Sequence, residues 1–211
     1  MPAAVRAASL DIPPMKRFIK PLIFSVALIP FAILIMKIAT NDLGPDPAKE
    51  LSLLTGEWAL RFLLISLALT PLRIISKNTE FVRHRRMLGL FAFFYASLHL
   101  FVWLTFLLQF RWGDILEEII ERPYITVGFA SYVLLSMLAA TSPLVMVRKL
   151  GRNWKRLHRL VYVAAVLAIV HLVWISRLDI GEAVLYGAVL AVLLGYRVYA
   201  KLKPKTSKTS A

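Results

Sequence analysis

Between Trp154 and Ser176 the chain reads WKRLHRLVYVAAVLAIVHLVWIS. This run is long and apolar enough to cross a bilayer as a helix, with His158 near one end and His171 near the other. A histidine among lipid chains is costly unless it faces other protein and finds a partner there. The stretch therefore demands a bundle whose interior receives its polar side. One further histidine, His99, lies inside an apolar run, FFYASLHLFVWL. For any one of these residues taken alone, an interhelical hydrogen bond or an interfacial position is as good an explanation as ligation.

Other apolar runs repeat the pattern: Pro21–Met36, Trp58–Leu72, Met87–Phe110, Tyr124–Val147 and a last one reaching about Tyr199. Of 211 residues, 59% are hydrophobic and only 18% charged, too little charge for a soluble domain of this length. The runs are continuous rather than alternating, which excludes a β-barrel. The expected fold is all-α, a polytopic membrane helix bundle of six transmembrane helices at approximately 18–38, 57–75, 87–110, 123–147, 157–176 and 182–200. These form one domain, residues 18–200, between an N-terminal tail (1–17) and a basic tail (201–211). The first run follows basic residues as a signal peptide would, but no small-residue cleavage site follows, so it reads as an uncleaved helix, kinked at Pro30. Asn41–Glu50 is a turn-rich acidic loop, and Arg111–Pro123 is an acidic amphipathic piece expected on the surface. Glu57 and Arg61 stand one helical turn apart, a spacing that permits a local ion pair or simple snorkelling.

The net charge of +14 is mostly topology. The N-terminus, loops 2–3 and 4–5 and the C-terminus hold 4, 5, 6 and 5 Lys/Arg, 20 of the 26, with only Asp11 and Glu80 as acids. The opposite side holds six Lys/Arg and ten Asp/Glu. The positive-inside rule then makes both termini cytoplasmic. Attraction to anionic lipid headgroups follows, and no nucleic-acid partner is required. There is no P-loop, no G-x-G-x-x-G and no clear inverted repeat, so ATPase and transporter functions lose support.

The absence of cysteine removes disulfides, iron–sulfur clusters and thiolate metal sites, leaving histidine and carboxylate for any metal chemistry. His99 lies 12 residues beyond Met87 and His171 lies 13 beyond His158, on two helices that run in the same direction, so the two share a depth in the outer half of the membrane. Three of the four histidines on two helices, two of them at one depth, point to a haem held between helices. Ala164 and Ala168, below His171 on its own face, and Ala92, below His99, permit close packing or leave room for a flat macrocycle. Two neutral imidazoles on facing helices give a six-coordinate b haem of the electron-transfer type. His158 stands roughly 20 Å from His171 along an ideal helix and about 140° away in azimuth, so a straight helix does not point both at one neighbour. It has no matching histidine: 14 residues before His99 stands Arg85. Arg85 or Arg86 is suited to a haem propionate or a flavin phosphate, although each taken singly reads more simply as a topology marker.

Several motifs together carry a resemblance: LGPDP (Leu43–Pro47), TG (Thr55-Gly56), LTPLR (Leu69–Arg73), RRMLGL (Arg85–Leu90), SLHL (Ser97–Leu100), RPYITVG (Arg122–Gly128), RKLG (Arg148–Gly151), W..LHRLVY (Trp154–Tyr162) and HLVW (His171–Trp174). Over nearly its whole length the chain resembles the MsrQ family. These are haem-binding membrane subunits of the bacterial periplasmic methionine sulfoxide reductase system, within the ferric reductase-like transmembrane group. The resemblance implies an inner-membrane subunit passing electrons from the quinone pool, or from a cytoplasmic flavin reductase, to a periplasmic molybdopterin enzyme that repairs oxidised methionine in proteins. It implies haem b as cofactor, with FMN also associated. It matches the family's haem histidines to His99, His158 and His171, with His99 and His171 as axial ligands and His158 at a second haem. Two-haem members of the wider group carry four histidines, and Arg85 stands here near the place of the fourth.

Two other functions remain open on the sequence alone. One is a self-contained ferric or oxygen reductase fed by a cytosolic flavoprotein. The other is a non-redox membrane scaffold with structural histidines.

Overall fold

The computed structural model describes residues 14–176 and 180–202, with side chains placed from Phe18 onward. The expected tails, 1–17 and 201–211, lie almost wholly outside the described residues. Among the described residues all regular structure is helical, and six helices are long and apolar enough to cross a membrane. The protein is a multi-pass membrane helix bundle.

Helix α1 (Pro14–Ala39) is followed by a short loop and by α2 (Pro47–Ser76), which begins eleven residues before the apolar run that announces it. The start is set by local chemistry. The Asp46 side chain accepts the Lys49 N–H at 3.1 Å, and Pro47 occupies a first-turn position where its missing N–H costs nothing. Helix α3 (Glu80–Val102) likewise starts early, so that Arg83, Arg85 and Arg86 lie on its first two turns and not in a loop. It continues into a π-helical turn, Trp103–Leu107. The segment after it forms a 3-10 turn (Trp112–Asp114) and α4 (Ile115–Glu121), on which Leu116 and Ile120 are exposed beside the acids Glu117, Glu118 and Glu121. This is the expected surface amphipathic piece.

Helix α5 (Pro123–Ala140) ends ahead of Pro143, and α6 (Leu144–Leu150) resumes after it. Pro143 has no N–H to continue the ladder and disfavours helical backbone at the residue before it. The Trp154 indole N–H donates to the Thr141 carbonyl at 2.9 Å, one of the acceptors freed by that break. The organising span is also interrupted. Helix α7 (Arg152–Leu157) is capped by His158, and α8 (Leu160–Ile175) restarts after a tightened turn in which the Arg159 N–H donates to the Arg156 carbonyl at 3.2 Å. The straight helix assumed for the azimuth of His158 is therefore not what forms. Helix α9 (Gly181–Leu202) closes the bundle.

Two helical hairpins make most of the packing, α2 against α3 and α5 against α8. The central core is Leu60, Leu63, Leu64 and Leu67 of α2 against Leu88, Phe91 and Tyr95 of α3. The Tyr95 hydroxyl donates to the Ala27 carbonyl at 2.8 Å and accepts the Phe31 N–H at 3.1 Å. It thus inserts into the hydrogen-bond ladder of α1 next to Pro30, while α1 remains helical on both sides. Glu57 and Arg61 do pair, at 2.6 Å, and the Arg61 Nε also donates to the Tyr186 hydroxyl at 2.8 Å, tying α2 to α9. Large apolar side chains on the outer faces, Val192 and Val184 of α9 among them, are exposed, as lipid contact requires.

Candidate cofactor site

His99 comes from α3 and His171 from α8, and the bundle brings their rings together. Their centroids stand 6.1 Å apart with the planes at 82°. An imidazole–metal bond is about 2 Å long and a ring nitrogen stands about 1 Å from its ring centre, so two imidazoles on opposite sides of one metal have centroids roughly 6 Å apart. The observed spacing has the size that one shared ion needs.

The tautomers agree with this. The Nδ1 of His99 lies 2.9 Å from the Ser52 carbonyl, and the Nδ1 of His171 lies 2.6 Å from the Tyr124 carbonyl. A carbonyl only accepts, so each Nδ1 carries the proton and each Nε2 keeps its lone pair free. A metal-ligating histidine is held in this way, its second nitrogen donating to a fixed acceptor that sets both ring orientation and basicity.

The rings reach those carbonyls because a glycine lies under each. A Cβ added to Gly56 would stand 3.1 Å from the Nδ1 of His99, and one added to Gly128 would stand 2.6 Å from the Nδ1 of His171. Each imidazole lies on the bare backbone of the neighbouring helix and shares the carbonyl four residues before the glycine. The arrangement occurs twice with identical spacing, since each histidine is 47 residues beyond its carbonyl. Ser52 to Tyr124, Gly56 to Gly128 and His99 to His171 are all displaced by 72 positions. The same displacement carries Pro71 to Pro143, Leu88 to Leu160, Ala92 to Ala164 and Ala96 to Ala168. Ala92 and Ala164 are both fully buried, so they serve close packing and do not line an open slot. The hairpins α2–α3 and α5–α8 are thus two copies of one unit, running in the same sense, with the histidine pair at their junction.

His158 is not brought to this pair. It sits at the opposite, basic end of the bundle, its Nδ1 3.2 Å from the Trp154 carbonyl and its ring stacked on the Trp154 indole at 3.9 Å. The charges of Arg85 and Arg86 act on it, so Arg85 is at the same end, as the sequence placed it. The 72-residue displacement makes Arg86, not Arg85, the counterpart of His158.

Residues 55–169 match the model of a family described as ferric reductase like transmembrane component. A relative from Xanthomonas euvesicatoria pv. vesicatoria, named protein-methionine-sulfoxide reductase heme-binding subunit MsrQ, is 50% identical over 192 residues, covering 88% of each chain. A relative of the same name from Polaromonas naphthalenivorans is 44% identical over 198 residues, covering 91% of this chain and 90% of its own.

The chain belongs to the MsrQ family.

Against that membership, three features of this MsrQ chain escaped the sequence reading. The two glycine cradles did, because a glycine's role depends on what another helix presses against it. Their only sequence signal is the shared 72-residue register with the histidines. Arg197 of α9 also did; it counts toward the basic C-terminal side in the charge pattern but projects into the bundle, donating to the Tyr162 hydroxyl and the Leu67 carbonyl. The fourth histidine, His84, has a buried Nδ1 with no hydrogen-bond partner among the described residues.

Proposed function

We propose that the protein is the haem b-binding, electron-transferring membrane subunit of a methionine sulfoxide reductase system, with His99 and His171 as the axial ligands of the haem iron. The observation that carries this is the 6.1 Å spacing of two imidazoles whose Nδ1 atoms are both tied to backbone carbonyls. The printed names of the relatives, which call them heme-binding subunits, support it. Haem supplies a one-electron carrier inside the hydrocarbon layer. The protein's part is to hold two neutral imidazoles in fixed orientation. Held by His99 and His171 together, the group would offer no place to oxygen or substrate, which would suit electron transfer and not oxygen chemistry.

The rest of the reading rests on charge asymmetry and on the family resemblance. Both termini are cytoplasmic and the membrane is the bacterial inner membrane. The electron donor is the quinone pool or a cytoplasmic flavin reductase, and the acceptor is a periplasmic molybdopterin subunit that reduces methionine sulfoxide. FMN is a second cofactor, and His158 with Arg85 marks a second cofactor position at the basic end. The family name keeps one other function in view, reduction of ferric iron by the subunit alone.

The test is the oxidised and reduced visible spectrum of the purified protein, with haem counted per chain, for wild type and for His99→Ala, His171→Ala and His158→Ala. The first two are expected to lose the six-coordinate signal, and the third to retain it. A colourless wild-type protein from haem-replete cells would sink the proposal. Rapid reduction of ferric chelates without the periplasmic partner would favour the ferric reductase.

A further inference from the structure

The segment joining the third span to the fourth is short, and its two faces differ. A 3-10 turn opens at Trp112, and α4 follows from Ile115 to Glu121. At about 100° per residue, Glu117, Glu118 and Glu121 fall on one face of α4 and its leucine and isoleucines on the other. Ile115 and Ile119 are partly buried, and α4 packs on α5. Trp112, Leu116 and Ile120, each four residues after the last, are 63, 68 and 68% exposed. This stripe continues the outer surface of the third span. The Phe110 ring lies 5.8 Å from the Trp112 ring, and Phe106 and Phe110 are exposed as well.

The same segment reaches the histidine pair. Glu118 pairs with Arg122 at 2.9 Å, and Arg122 donates to the Tyr124 hydroxyl at 3.1 Å. The Thr126 hydroxyl donates to the Ile119 carbonyl. These contacts fasten α4 to the first turn of α5, and the Tyr124 carbonyl on that turn receives the Nδ1 of His171. The two hairpin copies differ at this point. The Ser52 carbonyl that receives His99 lies more than a turn inside α2, whose start is capped by Asp46 and bridged to α1 by Lys37 and Glu50 at 3.2 Å. Tyr124 is the second residue of α5, and the residue before that helix, Arg122, makes no side-chain cap. The start of α5 therefore depends on α4. A helix of seven residues is marginal in water on its own and needs its apolar face covered. Four acids against two arginines over 111–122 leave this segment negative, so anionic headgroups do not draw it in. Apolar burial alone can seat it, and the stripe adjoins a surface already given to lipid.

We propose that α4 is an interfacial helix that sinks Trp112, Leu116 and Ile120 into the bilayer at the histidine-pair end, and that this seating holds the Tyr124 carbonyl on His171. A helix lying in the membrane plane with its acids toward water has the required form, and tryptophan favours that depth. The lipid contact stands on the stripe alone. Its effect on the cofactor rests on the proposed ligation by His171, because the carbonyl sets the orientation and basicity of that imidazole.

The chain has no cysteine, so single thiols can be placed without background. Full-length Leu116→Cys, Ile120→Cys, Glu117→Cys and Glu121→Cys, each carrying an environment-sensitive fluorophore, are set in nanodiscs of phosphatidylcholine. Nitroxide-bearing lipid is expected to quench the labels at 116 and 120 several times more than those at 117 and 121. The pattern should survive high salt and added anionic lipid, since no charge attraction holds the helix. Equal quenching at all four positions overturns the lipid contact. So does shielding of 116 and 120 only after the reductase subunit is added, which would make the stripe a protein-docking face. The link to His171 is read as transfer of haem to apomyoglobin. Leu116→Glu with Ile120→Glu should release haem roughly tenfold faster, the lower end of what losing the hydrogen bond to a ligating histidine costs. Leu116→Phe with Ile120→Leu, which keeps the stripe apolar, should release it at the wild-type rate. If the double Glu variant does not accumulate, Arg122→Gln decides, because it cuts the tie to Tyr124 and leaves the stripe whole. The quenching pattern with wild-type release in these variants overturns the link. A wild type that binds no haem fails the proposed function instead and leaves the quenching result standing.

Discussion

At the scale of residues, the decisive atoms are two hydrogens, those that glycine carries in place of a Cβ at positions 56 and 128. The added carbon of Gly128→Ala would sit 2.6 Å from the Nδ1 of His171, a distance real contacts do not show, whereas Gly56→Ala would sit at 3.1 Å from His99, which a small shift relieves. Gly128→Ala is therefore expected to lose most of the bound haem and Gly56→Ala only part of it. Overpacking of this kind costs about 1–3 kcal/mol. Haem per chain checks the order. A double variant, Gly128→Ala with His171→Ala, checks the cause: if the imidazole is what the methyl strikes, the two thermal destabilisations fall short of adding. Full additivity would place the damage elsewhere on α5. The pairing of His99 with His171 was legible in the sequence, because depth can be counted along helices that begin at one membrane face. The glycines were not, because Gly56 follows a threonine and reads as the start of a helix that in fact began nine residues earlier at Pro47.

At the scale of elements, apolar runs located all six spans, and local chemistry moved their ends. Helices α2 and α3 both start in polar sequence, α2 with a side-chain cap and a first-turn proline, so neither start needs lipid. The fourth and fifth spans read as unbroken because hydropathy does not register a missing N–H, yet Pro143 ends α5 and the turn at His158 divides α7 from α8. Tyr95 shows the opposite case, a side chain repairing a ladder on another helix. In Tyr95→Phe the Ala27 carbonyl and the Phe31 N–H lose their shared partner in a water-poor interior. We expect a loss of about 1–3 kcal/mol of stability, read as a lower melting temperature in detergent, with the haem spectrum unchanged. An unchanged melting temperature would mean that α1 closes its own bond when the hydroxyl is gone.

At the scale of the molecule, the two ends differ in charge, and orientation follows from that difference. Reporters fused after Ala211 or within Arg148–Arg159 should read as cytoplasmic, and those within Asn41–Glu50 or Arg111–Pro123 as periplasmic. A periplasmic C-terminus would reverse the donor and acceptor sides. The two copies of the hairpin were hidden from a search for inverted symmetry, since they run in the same sense and share few residues beyond glycine, proline, alanine and histidine.

That duplication has a mechanical consequence. Each hairpin packs extensively within itself and far less against its twin, and the histidine pair spans the seam. On the proposed ligation the prosthetic group would act as a rivet as well as a wire. A chain cut between Leu107 and Pro123 should yield two fragments, each with one histidine of the His99–His171 pair, that co-purify from haem-replete cells and drift apart when haem synthesis is blocked. Fragments that stay together regardless would assign the seam to protein packing alone.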